Sequence, residues 1–186
     1  MALLAVAAAA CAFGLAVTRS PSAALPAPGY SFDGGSEAER AVVRSALAAS
    51  AFDWSLVPGH VTIHIQRRGF CAASKGEIWL SSALLDQGRS SWGLVQHEYA
   101  HQVDFFLLDD ANRARLDKLL GGKAWWPGGP VLRHDQYGAE RFASTLAWSY
   151  WPSPHNSLIR FGRAEATAMP AARFRRLIAG LLAARS

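Results

Sequence analysis

The chain has 186 residues, of which 51% are hydrophobic and 18% charged, with a formal net charge of +5. That balance excludes a disordered tail, and the length suits one ordinary domain once an apolar leader is set aside. The basic residues are scattered, with a local excess only at Arg173, Arg175 and Arg176, which excludes the dense basic stripe with interleaved aromatics expected of a nucleic-acid binder.

Residues 2–17 are continuously apolar and rich in alanine. They predict a signal or anchor segment over residues 1–19 that sends the domain across a membrane or holds it there. The first basic residue, Arg19, follows the run, so cleavage of the segment and its retention as an anchor both stay open. Residues 20–35 hold Pro21, Pro26, Pro28, Gly29, Gly34 and Gly35 and read as a linker, leaving residues 36–186 as the folded domain. Of the two cysteines, Cys11 lies in the leader. No disulfide framework is expected, and Cys71 is expected to be neither a metal ligand nor half of a disulfide.

Ser36 with Glu39 has the capping-box spacing, and Val42, Val43, Ala46 and Leu47 then share a face, predicting a first amphipathic helix. Val61, Ile63 and Ile65 alternate with Thr62 and His64, the period of a half-buried strand. Residues 77–80 predict a second strand, and Lys75-Gly76 before it is turn chemistry, so a hairpin or small mixed sheet is expected. Over residues 91–108 the period becomes helical, through Leu94, Val95, Val103, Phe106 and Leu107. The Gly- and Pro-rich run 126–130 marks a loop, residues 137–150 a further helix stopped by Pro152 and Pro154, and a last helix follows Pro170.

Within the helix over 91–108 stands His97-Glu98-Tyr99-Ala100-His101. Residues four apart lie one turn along the same side of a helix, so both imidazoles converge on one ion while Glu98 projects beside them. Two imidazoles, a carboxylate and an open fourth position suit zinc. Downstream of His101 the chain offers two glutamates, Glu140 and Glu165. Glu140, on a helix among apolar neighbours, is the better third ligand, whereas Glu165 sits on the shoulder of the terminal helix. Asp104, three residues past His101, is a rival that a straight helix places poorly for a tetrahedron, and it reads better as a packing or outer residue. His60 and His64 read as half-exposed strand residues, and the tryptophans Trp125, Trp126, Trp148 and Trp151 as packing residues.

The HExxH helix followed by a glutamate on a later helix resembles the gluzincin branch of the zincins. The stretch 97–104 is especially similar to the anthrax lethal factor family, as is Glu140-Arg141-Phe142-Ala143 to that family's second helix. The resemblance implies an α+β zincin-like fold, a small sheet beside the active-site helix with a second helix delivering Glu140. It implies zinc held by His97, His101 and Glu140, with Glu98 as the general base. Gluzincins often carry an acid one turn after the glutamate ligand, where this chain has Ser144. The family's transition-state tyrosine falls at Arg133, leaving Tyr137 or His134 for that role.

The expected function is peptide-bond hydrolysis on a peptide or protein substrate, with the strand over 61–65 receiving the substrate if it forms the edge beside the cleft. The competing expectation is a non-catalytic, zinc-stabilised binding domain, tethered at or exported across a membrane. Whether the metal keeps an open position facing a groove separates the two. A third expectation is a membrane-tethered interaction module whose HExxH binds no stoichiometric metal.

Overall fold

The computed structural model describes residues 29–129, 131–161 and 163–184. The predicted leader over 1–19 and most of the predicted linker lie outside these residues. Among the described residues no helix is long and apolar enough to cross a membrane.

The sheet starts earlier than the sequence suggests. Residues Tyr30–Gly34 form strand β1, correcting the reading of this stretch as the end of a linker. Its two aromatic side chains, Tyr30 and Phe32, pack against the core, but two alternating positions among prolines and glycines are too few to register as a period. Gly34 and Gly35 end the strand at φ 73° and 71°, and a Cβ at Gly35 would lie 2.7 Å from the Ile65 side chain. Only glycine meets both demands.

The first helix, α1 (Glu37–Ala49), begins with the predicted capping box. The Ser36 hydroxyl accepts from the Glu39 amide at 3.3 Å, and the Glu39 carboxylate accepts from the Ser36 amide at 2.5 Å, together satisfying two orphan donors. Strands β2 (Val61–Gln66), β3 (Ala72–Ser74) and β4 (Glu77–Ser81) complete a four-stranded mixed sheet of order β1-β2-β4-β3. β1, β2 and β4 are parallel, and β3 returns antiparallel to β4 around the Lys75-Gly76 turn. The strand at 61–66 is therefore central, not the edge beside the cleft. With β1 and β4 holding its two flanks, its backbone has no row left for a substrate; the edges of this sheet are β1 and β3, and β3 lines the cleft.

Seven further helices follow: α2 (Ser82–Leu85), α3 (Trp92–Leu107), α4 (Asp110–Leu120), α5 (Gly138–Tyr150), α6 (Leu158–Phe161), α7 (Arg163–Ala166) and α8 (Ala171–Ala183). The fold is α+β. α3 is buried nearly all round, polar residues included, so those polar groups need partners. Gln96 donates to the Ala46 carbonyl of α1 at 2.6 Å. Gln102 donates to the Ser74 and Glu77 carbonyls at 2.8 and 3.1 Å and accepts from the Gly76 amide at 2.8 Å. One amide side chain thereby clamps the β3–β4 turn onto the HExxH helix. α5 packs along α3 from the other side, and α8 covers α5 through Phe174 against Phe142.

Candidate metal centre

The i, i+4 spacing on α3 does what the sequence requires of it: His97, Glu98 and His101 are buried, and the two Nε2 atoms stand 3.3 Å apart. Glu140 reaches them from the first turn of α5. Its Oε2 lies 3.1 Å from His97 Nε2 and 3.5 Å from His101 Nε2. An ion held tetrahedrally at about 2.0–2.1 Å separates its ligand atoms by about 3.3 Å, so the three distances fit one zinc-sized cation. The approach of α5 depends on Gly138, where a Cβ would fall 2.2 Å from the Asp117 carboxylate and 2.6 Å from Trp125. A larger residue there would push Glu140 away from α3.

Groups of metal-capable side chains among the described residues are confined to this place: His97, Glu98 and His101 form one, and His97, His134 and Glu140 another. His134, on a one-turn 3-10 helix before α5, has Nε2 2.9 Å from Glu140 Oε2. Of the two candidates for the transition-state role, the structure brings His134 to the cluster. Tyr137 instead accepts the Leu132 amide at its hydroxyl, at 3.2 Å.

Asp104 is not brought to the imidazoles. Three residues beyond His101 the helix has turned toward α4, where the buried carboxylate accepts from Arg113 Nε at 2.8 Å and Trp125 Nε1 at 3.0 Å. It is a packing residue. His60 and His64 pair with Ser31 and Asp33 across β1 and β2, away from the cluster.

Sequence reasoning passed over two residues that matter here. Ser144, one turn beyond Glu140, lies 3.0 Å from His97 Nδ1 and donates to Glu165 Oε2 at 3.0 Å. Glu165 is buried, and its other oxygen is 2.8 Å from His134 Nδ1. No local pattern marks Glu165, because the helix that carries it has only four residues.

The electrostatics follow from this crowding. Burial pushes the Glu98 carboxyl up, toward the range of a working base. Burial would raise Glu140 as well, but hydrogen bonds from His101, His134 and His97 outweigh it and hold Glu140 far below the usual carboxylate range. Burial alone would lower His97, yet the Glu140 hydrogen bond and the nearby carboxylates raise it. His134, hydrogen-bonded to Glu140 and then Glu165, is pushed up to about 10. Protons shared around one anionic centre are what a divalent cation displaces.

Set against known protein families, curated proteins and solved structures, the chain matches none of them.

The cluster opens into a cleft of about 170 Å³, with Cys71, Ala72 and Ala73 on one side and Trp126 and His134 on the other. Trp126 stacks on Phe105, centroids 5.3 Å apart and planes 4° from parallel, and stands 5.9 Å from the His101 ring. It therefore borders the site, beyond the packing role read from the sequence. The Cys71 thiol is half-buried and pushed up by burial, and no metal-capable group of three includes it. Cys71→Ser protein is expected to carry the same metal content as the parent by elemental analysis. A drop in zinc would place the thiol among the ligands.

Proposed function

We propose that this chain is a zinc-dependent peptidase of the gluzincin type, with His97, His101 and Glu140 holding the metal and Glu98 acting as general base. The observation that carries the reading is the convergence of one carboxylate oxygen and two imidazole nitrogens from separate helices, 3.1–3.5 Å apart, at the floor of a cleft that Glu98 also lines. When bound, zinc supplies a polarised carbonyl and an acidified water. Glu98, which lines the same cleft, would accept a proton from the attacking water and return it to the leaving amine. His134, which also lines it, is the side chain left to meet the negative charge that would develop on the carbonyl oxygen. The free edge of β3 offers main-chain hydrogen bonds to an extended peptide.

One observation favours a second reading. His134 Nε2 is close enough to Glu140 to serve as a fourth ligand, and a site closed by four protein groups is structural, a zinc-stabilised binding domain. Elemental analysis of the purified full chain, followed by digestion of a peptide mixture read by mass spectrometry, separates the two. One zinc per chain is expected, with cleavage that a chelator abolishes and zinc restores. Stoichiometric zinc without cleavage supports the structural site. A chain that takes up no zinc rules out both.

A further inference from the structure

We propose that Glu165 is a positioning residue that sets the proton placement of two histidines of the metal site at once, through Ser144 to His97 and directly to His134; this rests on the metallopeptidase reading. The argument is one of donors and acceptors. A carboxylate flanked by a hydroxyl and an imidazole nitrogen takes the part of acceptor toward both. The Ser144 hydroxyl has one proton, and at 3.0 Å from Glu165 Oε2 it donates that proton there. Its oxygen, 3.0 Å from His97 Nδ1, is then left to accept, so His97 carries a proton on Nδ1 and leaves Nε2 as the atom that would bind a cation between Glu140 and His101. The same logic applies to His134, whose Nδ1 lies 2.8 Å from Glu165 Oε1 and must donate to it, directing Nε2 at the cluster.

Metal-binding histidines depend on an outer partner of this kind, which fixes the tautomer and the ring orientation. Here the acid comes from α7, a separate element, with a serine standing where α5 could have carried it. The Thr145 hydroxyl donates to the Glu165 carbonyl at 2.8 Å, so the backbone of the brace is tied to the helix that supplies Glu140. Replacing one carboxylate oxygen by an amide NH2 sets a donor against one of two donors. Either Ser144 reverses and forces a proton onto His97 Nε2, or His134 loses its acceptor.

The test uses the full chain as Glu165→Gln, Ser144→Ala and the double variant, with folding checked by circular dichroism. Zinc affinity is measured by chelator competition, and the Co2+-substituted proteins are compared by visible absorption, a signature of ligand geometry that a general loss of stability does not move. Glu165→Gln is expected to bind zinc about 10- to 100-fold more weakly and to shift the cobalt bands. Ser144→Ala is expected to do so in the same direction, and the double variant to be no worse than Glu165→Gln, because both act on His97 along one path. Should Glu165→Gln not fold, Ser144→Ala alone decides the relay. Parent-like affinity and cobalt spectra in the variants overturn the positioning role while leaving the peptidase reading intact. A parent that binds neither metal overturns both.

Discussion

Glu98→Gln protein is expected to retain one zinc per chain and to hydrolyse peptide about a hundredfold or more slowly than the parent, about 2.7 kcal/mol of lost transition-state stabilisation. Glu98 and Glu140 are both buried or nearly so beside the same imidazoles, and Glu98 lies close enough to His97 and His101 to count as metal-capable. Their geometry differs. Glu140 Oε2 makes contacts of 3.1 and 3.5 Å with the two Nε2 atoms, which is ligand spacing. Glu98 stands one residue after His97 on α3, its carboxyl pushed up by burial, and no contact of ligand length to either Nε2 atom ties it there. An amide in its place keeps the volume and loses the base. Zinc content and turnover must be measured on the same sample, since loss of metal in Glu98→Gln would make Glu98 a ligand and overturn the proposed mechanism.

Glu140→Ala is expected to do the opposite first: zinc affinity should fall by more than about a hundredfold, beyond the effect of losing an outer partner, because two imidazoles and solvent remain. Activity should fall with metal occupancy and recover in part at high zinc. Asp104→Ala is the control. Its carboxylate is committed to Arg113 and Trp125, so its zinc affinity should match that of the parent even if stability suffers from the loss of these two part-buried bonds. If Asp104→Ala loses zinc while Glu140→Ala keeps it, the third ligand is on α3 and the two-helix centre is wrong.

Several elements are readable because each carries a signal within a few residues. The capping box at Ser36, the alternation at Val61, Ile63 and Ile65, and the histidines four apart on α3 are patterns of spacing, and spacing is what a sequence displays. α4 was missed because its apolar face consists of little more than Leu116 and Leu120. The Asp109 cap, which accepts the Asn112 amide at 2.7 Å, and the left-handed Gly121 at φ 74° were its only signs. β3 is three short residues whose strand character comes entirely from pairing with β4. Which strands are the edges depends on β1, and β1 was hidden among prolines and glycines. Glu165 was discounted for its place near the terminal helix, yet its role comes from contacts with residues 21 and 31 positions away. Distances along the chain of that size leave no periodic trace.

β1 and β3 are the two opposite edges of one sheet. With neighbouring strands about 4.8 Å apart, three steps separate them by about 14 Å. A fusion partner joined just before Tyr30 would be attached beside β1, at the edge opposite the β3 residues Ala72 and Ala73 that line the cleft. An insertion near Trp126, which lines the cleft, would crowd it instead. The order of four strands thus puts the start of β1 and the strand that lines the cleft at opposite edges of the sheet.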